Sequence, residues 1–452
     1  MKNARIDENT TTYIKKISKE YSLYVAQNRA IPSITDGLKA AQRKILWVLK
    51  GKNDKIKTVA LSGSLLESNI YDHGDASASE TISHMAAPFC NNVPLISGVG
   101  NFGTKIFPTE FSSPRYTYVK KSKITESLVY TDIDIIPLKE NYDGSAMEPE
   151  TFLPVIPLVL VNSTSGIAVG FSTFILSYNF NDIISNTINA LQNKKMKKMI
   201  PFINHYDLDI KNIEDNKWRI TGKVEIKDTS TVIIKEVPPS ISFEKLKEHF
   251  NNLEDNGTII SYTDKSTNSI NITVKFPRGS LKDKSEEQII SILKLTTTVT
   301  ERIVVIDFNG ENIITYDNPE KLIKDFVNWR LTWFYKRYEK FIEEDSYELI
   351  YQKGLKLCIE SQISDRLTTH KTKNEVREDI ISTTNSTLDD RQLERMMSIP
   401  MYKWTKDFIN EVNDKIKQLN DKIKENTDIL NDEDKLKNIY INDLENIKKL
   451  KI

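Results

Sequence analysis

"DHGDASASETISHMAAPF" (residues 72–89) decides how the front of this chain is read. A Gly-Asp pair opens a run of small residues, with Asp75 set to cap a helix and Glu80 in an early turn. Two helices are expected before it. "ITDGLKAAQRKILWVLKG" (34–51) places Leu38, Ile45, Leu46 and Leu49 on one apolar face and stops at Gly51. "TVALSGSLLESNI" (58–70) supplies a shorter second helix. After them, "TEFSSPRYTYVKK" (109–121) alternates Tyr116, Tyr118 and Lys120 behind a Ser-Ser-Pro turn, the pattern of a short strand. On that pattern alone both tyrosines read as packing residues. Three helices followed by a strand have the layout of a helix-turn-helix with a wing, the third helix being the one offered to a nucleic-acid groove.

Behind this front the pattern changes. "TVIIKEVPP", "SINITVKFP" and "RIVVIDF" read as strands and "SFEKLKEHFNNLEDNG" as an amphipathic helix ending at Gly257. Pro137, Pro149 and Pro154 mark the boundary before this α/β part. From about residue 318 the reading is long helix. Leu322, Phe326, Trp329 and Trp333 recur at 4-3-4 spacing, and Val412, Ile416, Leu419, Ile423 and Leu430 keep the same rhythm. Two such helices, separated by a stretch long enough for a small helical head, read as an antiparallel coiled coil. The expected parts are an N-terminal helical arm (1–28), a winged-helix domain (29–150), a tower-like α/β domain (151–317) and a coiled coil with a dimerisation head (318–452). The fold class is thus multidomain α+β.

Charge and composition narrow the function. Lys+Arg and Asp+Glu each number 63, but residues 1–125 hold 18 basic against 10 acidic residues and the remainder 45 against 53. A basic front and an acidic back point to a polyanion handled by the first third. No apolar run of about 18 residues occurs, so no membrane span is expected. The polar N-terminus has no apolar signal core, and two distant cysteines, Cys90 and Cys358, fit a reducing cytosol. The five histidines show no metal-ligand spacing, and no zinc or structural metal site is expected. "GVGNFG" (98–103) matches G-x-G-x-x-G literally, yet no strand–turn–helix context surrounds it. With no Walker spacing either, ATP hydrolysis is not expected of this chain.

Five blocks then fall in order: "RAIPSITDGLKAAQRKIL" (29–46), "DHGDASASETISHMAAPF" (72–89), "GVGNFGT" (98–104), "PRYTYVK" (114–120) and "PVIPLVLVNSTSGIAVG" (154–170). Together they resemble the breakage-reunion subunit of type IIA DNA topoisomerases, the gyrase A and topoisomerase IV A family. The length, with "IPLVLVN" and "YDNPEKLIKDFV", looks closest to the medium subunits of T-even-phage topoisomerases. The resemblance makes Tyr116, directly after arginine in "RYT", the nucleophile. It implies Arg29 at the scissile phosphate, His73 near the same phosphate, Lys39, Arg43 and Lys44 on the DNA backbone, and Ile167 as an apolar wedge between base steps. Without it, Lys39, Arg43 and Lys44 read as a solvated helix face, Arg29 as a helix C-terminal charge, His73 as a structural histidine and Ile167 as a buried strand residue.

The chemistry is transesterification, in which a phenolate attacks phosphorus and the protein holds the broken end. A phenol of pKa about 10 needs help to lose its proton at neutral pH. Arg115, adjacent to Tyr116, is the first candidate, either at the reacting phosphate or, if the two lie on opposite faces of a strand, at a neighbouring one. Magnesium for such a step is generally held by clustered carboxylates. "YTDIDIIP" offers Asp132 and Asp134 but matches no metal module. By the resemblance, Mg2+ and ATP belong to a partner ATPase/TOPRIM-bearing subunit in a heterotetramer or larger assembly. One tyrosine cuts one strand, so a homodimer acting on double-stranded DNA is implied. The absence of a pinwheel domain argues against gyrase-style wrapping. Tyr71 stands two before His73, where gyrase has a second histidine, and Ala76 with Glu80 implies a weak quinolone response. A Lys-, Asn- and Ile-rich composition fits an AT-rich viral genome, and the expected location is the cytoplasm, that of a bacterial host in that case. Two other readings stay open: a tyrosine recombinase, which would link to the 3′ phosphate, and a non-cleaving DNA-binding coiled-coil scaffold.

Overall fold

Helix α1 (Thr10–Val25) runs into a π-helical turn, Ala26–Ala30, that leaves Arg29 exposed while Ala26 and Ala30 pack with Ile31, Val304 and Ile306. The computed structural model describes residues 10–450 apart from Asp72, Asn268, Thr368, Lys371, 401–402 and 405–407. The expectation for residues 1–9 of the arm lies outside the described residues. Two compact units result, Met1–Arg330 with Ile441–Ile452, and Leu331–Tyr440.

In the first unit α2 (Ala40–Lys50) buries Ile45, Leu46 and Leu49 and ends at Gly51, as its apolar spacing requires. Leu38 is buried ahead of the helix. There Gly37 takes φ +67°, and a Cβ on it would stand 2.2 Å from the Val159 nitrogen. β1 (Ile56–Lys57) leads into α3 (Thr58–Glu67) and α4 (Asp75–Ala86). Gly74, not Asp75, caps α4. The cap has extended backbone, and Asp75 is the first helical residue, where its charge meets the positive end of the helix.

β2 (Ile96–Val99) and β3 (Tyr118–Lys121) complete an antiparallel sheet in the order β1-β3-β2, Val119 lying between Ile56 and Gly98. The expected strand therefore starts two residues late. Pro114 takes the second position of a turn that Tyr116 N–H closes on the Ser113 carbonyl at 2.9 Å. Next come α5 (Lys123–Leu128) and a hairpin of β4 (Leu138–Glu140) and β5 (Met147–Pro149). A buried segment, 151–161, precedes the hairpin of β6 (Thr164–Ala168) and β7 (Phe171–Ile175), and α6 (Phe180–Leu191) follows. The sequence pattern groups this stretch with the α/β part. In the structure it completes the front: Phe152 packs on Tyr130, its N–H reaches Asp36, and Gly166 abuts Ala30.

The α/β part has two sheets. β8 (Asp209–Glu214), β9 (Lys217–Thr221), β10 (Lys223–Ile226) and β11 (Thr231–Glu236) precede α7 (Phe243–Asp255), and β12 (Ser261–Asp264), β13 (Ile272–Lys275), α8 (Glu286–Ile292) and β14 (Thr296–Thr300) follow it. Strand orders are β10-β11-β13-β12 and β14-β9-β8. Val232, Ile234, Phe243, Phe250, Val274 and Ile289 belong to one core. Ile106 and Phe107, from the loop ahead of Tyr116, pack into it, with Phe107 edge-on to Phe243 at 5.7 Å. β15 (Ile303–Ile306) and β16 (Ile313–Tyr316) pair next.

Helix α9 (Pro319–Glu360) starts in the first unit. Its buried stripe there is Leu322, Ile323, Phe326, Val327 and Arg330, whereas Trp329 is only half-buried and stacks on Phe308. The expected stripe through Trp329 and Trp333 is thus shifted, because Arg330 goes inward to Asp132 and to the Pro154 carbonyl. Asp132 of "YTDIDIIP" is accounted for by that ion pair.

In the second unit Phe334 stacks on Tyr440 at 4.3 Å. Helices α10 (Ile363–Leu367), α11 (Lys373–Thr383) and α12 (Asp390–Met397) close over Tyr351, Leu355, Cys358 and Ile359 of α9. α13 (Phe408–Leu430) adds Val412 to the same core and buries Leu419 beyond it. α14 (Glu433–Lys448) buries Leu436, Tyr440 and Leu444. Among the described residues no helix is long and apolar enough to cross a membrane.

Candidate functional site

Tyr116 is 71 % exposed on its turn. The start of α3 holds that turn, since two N–H groups without helical partners, those of Thr58 and Val59, donate to the Thr117 and Pro114 carbonyls at 3.0 and 3.3 Å. The buried hydroxyls of Thr58 and Thr117 meet at 2.7 Å. Arg115 does not sit across a strand from the tyrosine. Its guanidinium carbon lies 5.8 Å from the Tyr116 ring centroid, on the same turn, and its Nε donates to the Ser113 hydroxyl at 3.3 Å. The "GVGNFG" run shapes the loop beside them: a Cβ on Gly98 would meet the Phe102 ring at 2.5 Å, and one on Gly103 the Pro108 carbonyl oxygen at 2.4 Å. As a nucleotide site the motif lacks its strand–turn–helix context, and its glycines instead permit the close approaches within this loop.

A groove of about 1240 Å³ gathers five of the candidate residues: Arg29, Lys39, Arg43, Lys44 and His73. Ser77, Thr81 and His84 of α4 face it as well. Arg115, Tyr116 and Ile167 are not among its lining residues. His73 is exposed, with its ring edge-on to Tyr71 at 5.4 Å. Lys39 donates from Nζ to the Ser165 carbonyl at 2.6 Å, and burial pulls its pKa below the usual lysine value.

Arg43 and Lys44, expected on the DNA backbone, are each paired with a carboxylate and do not form the solvated helix face that their spacing alone suggests. Arg43 Nε and Nη2 donate to the two oxygens of buried Asp36 at 2.5 and 2.9 Å. Burial works against the Arg43 charge, but Asp36, Glu148 and Glu150 outweigh it and hold its pKa above the usual value. Lys44 pairs with Glu148 at 2.8 Å. Both carboxylates are buried, and each needs a counter-charge that these two cations supply.

Acidic residues at the groove do not fit a magnesium site. Glu148 is committed to Lys44 and lies 3.9 Å from Lys139, and among the described residues no three His, Cys, Asp or Glu gather around a point.

Ile167 is 88 % exposed near the end of the β6–β7 hairpin. The hairpin is fastened from beneath. Gly166 lies against the Ala30 carbonyl, the Thr173 hydroxyl donates to the Val304 carbonyl at 2.8 Å, and Phe174 and Arg302 exchange main-chain hydrogen bonds at 3.0 and 2.8 Å. Beyond it, buried Glu301 accepts from Leu176 N–H (2.9 Å) and the Tyr178 hydroxyl (2.6 Å). Burial raises the Glu301 pKa to about 7 against the lowering effect of those two hydrogen bonds.

This mixed α+β multidomain fold matches the crystal structure of the Plasmodium falciparum topoisomerase II DNA-binding, cleavage and re-ligation domain. The TM-score is 0.85 over 97% of this chain and 64% of that one, at 23% identity. The family profile of the DNA gyrase/topoisomerase IV A-subunits matches residues 29–445, and the chain belongs to that family. DNA topoisomerase 2-alpha of Gallus gallus is 31% identical over 351 residues, covering 74% of this chain and 22% of that protein. DNA topoisomerase 2 of Candida albicans is 29% identical over 77% of this chain and 25% of its own length. The human 2-alpha enzyme is 31% identical over 73% of this chain and 23% of its own. The chain spans about a quarter of the length of these curated relatives.

Proposed function

We propose that this chain is the DNA-cleaving and rejoining subunit of an ATP-dependent type IIA topoisomerase, with Tyr116 as its nucleophile. One observation carries the reading: an exposed phenol on a turn fixed by α3, with a guanidinium on the same turn and a cation-lined groove in the same unit. The Tyr116 oxygen attacks a backbone phosphorus, the bond to the 3′ oxygen breaks, and that oxygen leaves as a hydroxyl. The new ester holds the 5′ phosphate, and attack by the same hydroxyl reverses the step. Arg115 offsets charge on the phosphorus centre, while Arg29 and His73 hold the DNA from the groove.

In this reading α2 to α4 with the β1-β3-β2 sheet form a winged helix that offers α4 to DNA. The long helices of the second unit form a coiled coil with a dimerisation head. One tyrosine per chain requires two copies to cut both strands. The tyrosine does not line the groove of its own chain, which favours a site completed by a second copy. Mg2+ and ATP would come with a separate ATPase/TOPRIM subunit, and the phage-type medium subunit is the branch proposed.

Mixing the chain with such a partner, DNA and Mg2+, then adding detergent, tests the proposal. Protein linked to the 5′ end supports it, and linkage to the 3′ end indicates a recombinase. An adduct that survives Tyr116→Phe overturns the assignment. DNA binding with no adduct from the intact protein indicates a scaffold.

A further inference from the structure

We infer that Arg302 is a DNA-phosphate contact that, with Lys39, brackets the wedge residue Ile167; this rests on the proposed role of Ile167. Side chains alternate along a strand, and cross-strand partners share a face. Ile167 is paired with Ser172, and Ser165 with Phe174, so these four point the same way. The Arg302 guanidinium lies on that face, because its Nη1 donates to the Ser172 hydroxyl at 2.5 Å. Its main chain is bonded to Phe174 in both directions, which fixes where the side chain starts. On the other strand Lys39 Nζ sits on the Ser165 carbonyl, two residues from Ile167. One cation thus stands at each strand of the hairpin, beside an exposed apolar side chain.

Neither cation has a carboxylate at ion-pair distance among the described residues. Arg302 contrasts here with Arg43 and Lys44, whose charges are taken up by Asp36 and Glu148. The neighbouring carboxylate, Glu301, is buried and bonded to Leu176 and Tyr178. An exposed guanidinium anchored at its base but lacking an anion suits a phosphate. A side chain driven between base pairs bends the duplex and brings backbone to its flanks, where Arg302 and Lys39 stand. Arg302 is a positioning residue in this scheme: it holds the backbone while Ile167 enters the stack.

The test uses the full chain with a duplex of about 30 base pairs carrying dyes at both ends, so that bending and affinity are read together. Arg302→Gln is expected to lower the salt dependence of binding by about one counterion and to reduce the bend. Arg302→Lys should restore the salt dependence, and Ser172→Ala should keep it while broadening the bend. Ile167→Ala should lose the bend with the salt dependence intact. If Ile167→Ala straightens the DNA but Arg302→Gln leaves both readouts unchanged, the Arg302 inference is overturned and the wedge stands. If Ile167→Ala leaves the bend unchanged, the wedge reading fails, and with it the bracketing role of Arg302.

Discussion

The α-carbon of Gly166 faces the carbonyl of Ala30 so closely that a Cβ would stand 1.9 Å from its oxygen. The strand carrying the candidate wedge is therefore seated on the turn carrying Arg29, two elements far apart in sequence. Gly166→Ala must push the hairpin off that seat. A stability loss of about 1–3 kcal/mol is expected from denaturant unfolding, together with weaker DNA bending. An alanine variant with unchanged stability and bending would show that the seat can yield.

Tyr116 makes its fold contribution through the main chain, and its ring is mostly in solvent. Tyr116→Phe should leave stability within about 0.5 kcal/mol and DNA affinity nearly unchanged, while covalent adduct disappears. Melting curves, filter binding and detergent trapping on one preparation separate the three quantities.

Asp36 is fully buried and accepts from Arg43 twice, from Leu38 N–H and from Phe152 N–H. Removing one partner of such a pair strands the other charge, so Asp36→Ala should cost about 3–5 kcal/mol in urea unfolding. Lys39→Ala, which breaks a single hydrogen bond to a carbonyl, should cost far less and appear chiefly in DNA binding.

Glu301 gives a pH signature of defined sign. Its pKa rises from the ordinary glutamate value of 4.5 to about 7 in the fold, so between these values the native state holds more protons than the unfolded chain. Stability should then fall as pH rises through that window, by up to about 3 kcal/mol from this group. Glu301→Gln should flatten the slope between pH 4.5 and 7, measured by urea unfolding at several pH values.

The legible parts of the sequence were those decided by neighbours in the chain. The apolar spacing of α2, its Gly51 end and the α7 helix ahead of Gly257 (φ +74°) depend on residues within a few positions. The sequence pattern puts the tyrosine one element off because Pro114 forms a turn where the alternation of Tyr116, Tyr118 and Lys120 mimics a strand. Arg43 could have been anticipated, since Asp36 stands seven residues before it. Arg330 could not: its acceptor, Asp132, is 198 residues away, and the tryptophans at 329 and 333 supplied a more obvious stripe. Arg302 had no motif around it, and its place beside Ile167 comes only from strand pairing.

Ile106 and Phe107, in the loop ahead of the Tyr116 turn, give that loop a foothold in the α/β core. Lys105 secures the same loop by pairing with Glu236 at 2.6 Å. If Tyr116 holds a severed DNA end as proposed, that end is linked through this loop to the β-sheets as well as to α3. Swivelling of the tyrosine loop alone would first have to withdraw two apolar side chains from among Phe243 and its neighbours.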